Sequence, residues 1–244
     1  MEHKVVSEQE WLTARRVLLT KEKQLTHLRD EINRDRLALP WVRVTKQYVF
    51  DMPEGKKTLA DLFNCRSQLL IYHFMLGPGW GEGCKSCSFI ADGFDGMLPH
   101  LENHDVTLMA ISRAPLPEIT AYKTRMGWHF PWASAFGNDF NHDYHVSFTP
   151  EEKQTGKVTY NFGEMPVPPD FKETELPGLS AFSKNESGEI FHTYSTYTRG
   201  LEEMVGTLMM LDRAPLGRNE KHVMDFVRRH DEYENAPKSH SCCS

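Results

Sequence analysis

Three features of the sequence predict an α/β protein built as a three-layer sandwich. Residues 68–76 and 106–111 are two nearly continuous apolar runs, with the length of strands buried on both faces of a parallel sheet. Between them Phe89, Ile90, Phe94, Met97, Leu98 and Leu101 recur at the three- and four-residue spacings of an amphipathic helix. Further on, residues 179–182 and 189–194 flank Asn185-Glu-Ser-Gly188, a hairpin signal. Parallel strands need crossover helices, and those helices cover the faces of the sheet.

Taken in order, Ser7 and Glu10 have the spacing of a capping box at the start of a long helix over residues 7–37. Trp11, Leu18, Leu25 and Ile32 repeat every seven residues along it, with Ala14 and Leu28 beside them. So short a stripe predicts a helix docked on its own domain; a coiled-coil contact in a homodimer is the alternative. Pro40 ends it. Residues 41–44 and 48–50 read as strands, a candidate hairpin ahead of the core, and 58–63 as a helical turn. After the second buried strand, 118–126 reads as a helix with proline near its first turn, 130–136 as a short strand and 137–145 as a polar stretch. Residues 157–162 alternate like an edge or insertion strand, and 165–176 is proline-rich and irregular. Residues 201–211 read as a closing helix and 222–229 as a short terminal one. The expected organisation is a helical extension over residues 1–40 packed on the core, one domain over 41–232, and a disordered tail over 233–244.

Composition narrows the function. With 244 residues, 39% apolar and 25% charged, the chain can bury a substantial core. A net charge of −6 gives no electrostatic case for nucleic acid or an anionic membrane surface. No apolar stretch reaches transmembrane length, and the first residues lack a signal-peptide core. Five cysteines do not make a secreted disulfide scaffold. The expectation is a cytoplasmic protein with no cofactor and neither a nucleic-acid nor a membrane partner.

Cys84 and Cys87 carry the chemistry. They follow the first apolar run through the glycine-rich turn Gly77-Pro-Gly-Trp-Gly-Glu-Gly83 and open the next helix. Strand, glycine-rich turn, Cys-x-x-Cys, helix is the order of a thioredoxin-like redox motif. A thiol at a helix N-terminus faces unpaired N–H groups and the positive end of the dipole, which stabilise the nucleophilic thiolate. Cys84 is therefore the candidate nucleophile and Cys87 the resolving thiol, with Lys85 favouring the thiolate and Glu82 opposing it. With two β-α-β passages, a hairpin and a last helix, the predicted fold is a thioredoxin-like three-layer sandwich with an added long N-terminal helix and a β insertion.

Other readings stay open at this level. Soft thiolates with imidazole suit copper or zinc, so Cys84 and Cys87 with His142 or His145 form an alternative metal or metallochaperone site. A four-cysteine zinc site lacks its second pair, because Cys65 is alone and Cys242 and Cys243 are adjacent near the end. Two inert helix cysteines in a non-catalytic binding module are a third reading. His73 is expected to be a hydrogen-bonded sheet histidine. Trp128, Phe130, Trp132 and Phe136 are expected to be a core aromatic cluster, and Arg125, Arg199 and Arg218 exposed salt-bridge partners.

Several separate blocks also carry a family resemblance. Trp80-Gly-Glu-Gly-Cys-Lys-Ser-Cys-Ser-Phe89, Ser112-Arg-Ala-Pro115, Arg125-Met-Gly-Trp-x-Phe-Pro-Trp132, Asp139-Phe-Asn141, His192-Thr-Tyr-Ser-Thr-Tyr197 with Arg199-Gly200, and Leu211-Asp-x-x-Pro-Leu-Gly-Arg218 resemble the bacterial family catalogued as domain of unknown function 899. That family is described as thioredoxin-like and as predicted dithiol–disulfide oxidoreductases. The resemblance implies a protein or small-molecule disulfide as substrate and a thiol reductant as partner. Within the wider superfamily, residues 177–182 resemble a strand preceded by a proline, usually cis, that faces the cysteine pair. This implies a substrate groove made by Pro177 and the backbone of Leu176, gated by Trp80. The chain departs from thioredoxin in placing Trp80 four residues ahead of Cys84. It departs from peroxiredoxins in having Gly81 where they carry a threonine, which argues against efficient peroxide reduction.

Overall fold

The computed structural model describes residues 3–233; the expected tail beyond them, with Cys242 and Cys243, lies outside the described residues. The chain divides after Trp41 into two compact units. The first is the helix α1 (Glu8–Leu37). Its capping box forms as expected: the Glu10 N–H donates to Ser7 Oγ at 3.3 Å, and the Ser7 N–H donates to the Glu10 carboxylate at 3.0 Å. No helix among the described residues is long and apolar enough to cross a membrane.

The second unit is built on an eight-stranded sheet. Its strands are β1 (Val42–Arg43), β2 (Val49–Met52), β3 (Gly55–Thr58), β4 (Gln68–His73), β5 (Val106–Ser112), β6 (Trp132–Ser134), β9 (Gly178–Lys184) and β10 (Ile190–Tyr197). The order across the sheet is β1-β10-β9-β4-β5-β6-β2-β3. β4, β5 and β6 are parallel, whereas β9 runs antiparallel to β4 and β10 antiparallel to β9. Two parallel strands joined through helices, flanked by an antiparallel hairpin, give the central order β10-β9-β4-β5. That is the thioredoxin-like arrangement the sequence predicts. The β insertion is a separate two-stranded hairpin, β7 (Lys157–Tyr160) with β8 (Gly163–Pro166).

Both faces of the central strands are covered, and the two-residue period of a strand divides their side chains. Tyr72, Phe74, Leu108 and Ala110 face one core with Phe94, Trp128 and Trp132. Leu69, Ile71, Met109 and Ile111 face the other with Phe50, Phe63 and Phe140. This double burial explains why the sequence reads as runs rather than alternation.

Four expectations are corrected. Residues 42–43 and 49–52 form no hairpin together, because β1 pairs with β10 while β2 pairs with β3 and β6 on the far side of the sheet. β3 is so rich in lysine that it carries no apolar signal. The helix after the cysteines is two pieces, α2 (Lys85–Ala91) and α3 (Phe94–Asn103), parted at Asp92–Gly93. α4 (Leu116–Arg125), α5 (Phe140–Asp143) and α6 (Pro150–Gln154) follow. The closing helix is a 3-10 stretch (Thr198–Met204) running into the short α7 (Gly206–Leu211). Residues 222–229 form turns instead of a helix. There the Asp225 carboxylate accepts from the Lys221 and His222 N–H groups, a local bond that competes with helix formation.

Candidate functional site

The site grows from the C-terminal end of β4. Phe74 N–H donates to Ile111 O at 2.9 Å, and Ala114 N–H to Leu76 O at 2.9 Å, so β4 and β5 stay tied beyond their formal ends. The glycine-rich turn then reverses the chain. Gly81 has φ +71°, a left-handed conformation that glycine adopts without steric cost. Gly83 is needed for space, since a Cβ there would lie 2.6 Å from ring carbons of both Phe74 and Tyr122. Cys84 N–H donates to Met75 O at 3.0 Å, which returns the chain to β4 and places Cys84 at the N-cap of α2.

The two thiols differ sharply. Cys87 is buried, whereas Cys84 is partly exposed. The Cys84 thiol is pulled from 9.0 down to about 6, chiefly by the Cys87 thiol acting as donor and then by the Cys87 and Ser86 N–H groups, against the opposing effect of burial. Burial, followed by the neighbouring Cys84 sulfur, pushes the Cys87 thiol well above its ordinary range. The pair therefore combines an accessible thiolate with a protonated partner. Among the charges around it, the Glu173 carboxylate opposes the Cys84 thiolate. Glu82 is drawn aside by Arg125 at 2.5 Å and Arg229 at 3.1 Å.

Arg229 stands at this loop although no motif in the sequence marks it. It is 7% exposed and reaches back from the C-terminal turns to the cysteine loop. Its Nη2 and Nε donate to Gly83 O at 2.7 and 3.2 Å, and Nε also to the Tyr122 hydroxyl at 3.0 Å. Tyr122 in turn bonds Ser88, whose Oγ donates to Cys84 O at 2.8 Å. The loop is thus held from α2, α4 and the C-terminal segment at once.

A cavity of about 320 Å³ opens at Cys84, with Cys87, Tyr72, Pro177, Leu201 and Leu208 on its walls. Of the three residues implied to form a substrate groove, only Pro177 lines it. The described residues contain no cis peptide bond, so the implied cis-proline is corrected to trans. Glu175 forms an antiparallel bridge with Ser147, and Leu176 N–H donates to Val146 O at 2.8 Å; a trans bond continues that extended run. The Leu176 N–H is therefore engaged within the protein, and its side chain packs among Val146, Phe148 and Tyr160. Trp80 folds over Gly77, where a Cβ would stand 2.7 Å from its Nε1, and does not line the cavity.

A family model described as a bacterial protein of unknown function, DUF899, matches residues 1–233. The chain belongs to that family. No curated protein matches it. Among solved structures it is similar to PrxQ of Xylella fastidiosa in a cysteine-mutant form, at 15% identity and TM-score 0.41, covering 67% of this chain and 88% of that one. It is also similar to peroxiredoxin Q of Xanthomonas campestris, at 12% identity and TM-score 0.43, covering 69% and 96%. For peroxidoxin BcpB of Mycobacterium tuberculosis the figures are 12%, 0.39, 70% and 97%.

His73 and His142 of this DUF899 member are engaged away from the cysteines. His73 is buried, with Asn141 Oδ1 at 3.1 Å and Ser180 Oγ at 2.9 Å on its two ring nitrogens, as the sequence led us to expect. Burial lowers its pKa from 6.5 to about 4, so it is neutral. His142 accepts from Arg113 Nη1 at 3.2 Å and donates to Ser147 O at 3.0 Å. Arg113 also pairs at 2.6 Å with Glu175, which is 2% exposed. Among the described residues no three His, Cys, Asp or Glu side chains converge to hold a metal ion, so the alternative set of Cys84, Cys87 and His142 or His145 is not assembled. Arg125, Arg199 and Arg218 are ion-paired. Trp128, Phe130 and Trp132 join the core as expected, but Phe136 is 52% exposed.

Proposed function

We propose that this protein is a thiol–disulfide oxidoreductase in which Cys84 attacks and Cys87 resolves. The supporting observation is the asymmetry of the pair: an accessible sulfur held near pKa 6 beside a buried, protonated one. The Cys84 thiolate attacks one sulfur of a substrate disulfide, forming a mixed disulfide and expelling a thiolate. Cys84 then carries no charge, which removes one of the causes that raise the Cys87 pKa. Cys87 loses its proton, attacks Cys84 Sγ, and releases the second half of the substrate as a thiolate. The substrate gains two electrons, and an external thiol reductant restores the pair. A cytoplasmic setting belongs to the same proposal, since it supplies such reductants.

The test is a titration of the purified protein against dithiothreitol or glutathione buffers, read by alkylation and mass spectrometry. A reversible two-electron couple confined to Cys84 and Cys87 is expected. Cys84→Ser abolishes it, and Cys87→Ser stalls at the mixed disulfide. Full disulfide reductase activity in Cys84→Ser would overturn the assignment.

A further inference from the structure

The cavity at Cys84 continues beyond what a disulfide alone requires. Met75, Ile90, Leu201, Val205 and Leu208 make its inner walls. Ile90 and Val205 also border a second cavity, of about 570 Å³, which extends to Phe89, Met97, Leu211 and Phe226. The two cavities share Ile90 and Val205 as an apolar wall, whose face toward Cys84 forms a trough. Arg199 and Glu202, which also line the first cavity, pair with each other at 3.1 Å.

Tyr72 gives this trough a polar end. It is fully buried, it lines the first cavity with both cysteines, and its hydroxyl lies against the Cys87 thiol with no nitrogen or oxygen partner among the described residues. A hydroxyl both donates and accepts, so beside the Cys87 thiol it keeps capacity for a polar or polarisable ligand atom. An apolar channel with one convergent hydroxyl beside a thiolate fits a ligand with a reactive head and an apolar tail.

We infer that the trough binds a disulfide carrying one long alkyl or aryl substituent, with its sulfurs between Cys84 and the Tyr72 hydroxyl and its chain along Ile90 and Val205. The chemistry rests on the dithiol reading above; the binding does not. The Cys84 thiolate bonds to the sulfur that bears the chain, and the smaller half leaves as a thiolate, which takes up the proton released by Cys87. Cys87 then attacks Cys84 Sγ, and the long-chain thiolate departs, accepting a hydrogen bond from Tyr72. The substrate is reduced by two electrons and the cysteine pair is oxidised to a disulfide.

The test uses the reduced, full-length protein and N-alkylmaleimides from methyl to octyl, with modification rates read by mass spectrometry for each cysteine. Exposed Cys65 is the internal reference. The Cys84 rate is expected to climb with chain length, by up to about fourfold per methylene, until the trough is filled, while Cys65 stays flat. Val223→Glu, a charge placed at the exposed rim of the cavity, flattens the climb. A Cys84 rate without chain dependence, or one that merely parallels Cys65, overturns the inference; the wild-type series decides this even if the variant does not fold. Methyl octyl disulfide should then oxidise the Cys84–Cys87 pair about tenfold faster than glutathione disulfide, each rate taken relative to its reaction with free dithiothreitol. Equal relative rates overturn the substrate class. Chain-dependent alkylation with no oxidation by either disulfide upholds the site and overturns the dithiol reading instead.

Discussion

A cysteine near pKa 6 is almost wholly thiolate at neutral pH, and the origin of that shift can be tested residue by residue. Alkylation of Cys84 by iodoacetamide is expected to reach half its maximal rate near pH 6, with Cys87 silent. Because the Cys87 thiol is the largest stabilising donor, Cys87→Ala moves the midpoint upward. A midpoint near pH 8.5 in the native protein, the value of a free thiol, would sink the account. Gly83 is the other decisive position. Gly83→Ala drives a methyl group into Phe74 and Tyr122 and should cost about 1–3 kcal/mol, seen as a lower urea midpoint. At this scale the cysteine pair and its place at a helix start were legible, since they need only two residues at fixed spacing after a glycine-rich turn. The charges around it were not. Glu82 is two residues away yet turned toward arginines, and Glu173 acts from a distant segment.

Among the elements, the C-terminal turns matter more than their length suggests. Arg229 alone satisfies Gly83 O from that segment, with two N–H groups. Arg229→Met removes both, and a buried carbonyl left unsatisfied costs about 1–3 kcal/mol. The expected outcome is a matching loss in urea stability and faster hydrogen exchange at the amides of Gly83 and Cys84. Unchanged exchange there would mean that the loop holds its shape without the strap. Elements with strong local periodicity, such as β4, β5 and the β9–β10 hairpin, were readable. β3 was not, because two lysines in four residues hide a strand that lies at the sheet edge. Residues 222–229 have the apolar spacing of a helix yet form turns, because the Asp225 carboxylate accepts local bonds that spacing does not register.

For the whole molecule, acid should unfold the protein earlier than its carboxylates alone require. His73 titrates near 6.5 when unfolded and near 4 when folded. Between those values the unfolded chain binds a proton that the folded one refuses, so stability falls as pH drops from 6.5 to 4, by about 3 kcal/mol. The lowered Cys84 pKa acts in the same direction from 9.0 down to about 6. Glu175, raised by burial, acts in the opposite direction, contributing stability at low pH that is lost as pH rises through its folded pKa. Urea midpoints measured from pH 4 to 9 should therefore rise with pH through the His73 and Cys84 windows, and the His73 ring signals should titrate near pH 4 by NMR. Ring signals that titrate near 6.5 would remove the His73 contribution.

The sequence by itself determined the α/β class, the order of the buried strands, the capped first helix and the place of the cysteine pair at a helix start. Each of these depends on a period or spacing shorter than one element. The tertiary structure decided which thiol is exposed, which carboxylate opposes the thiolate, where the apolar trough runs and how Arg229 closes on Gly83. Those depend on side chains far apart in the chain, 146 residues in the last case, whose meeting no local pattern encodes.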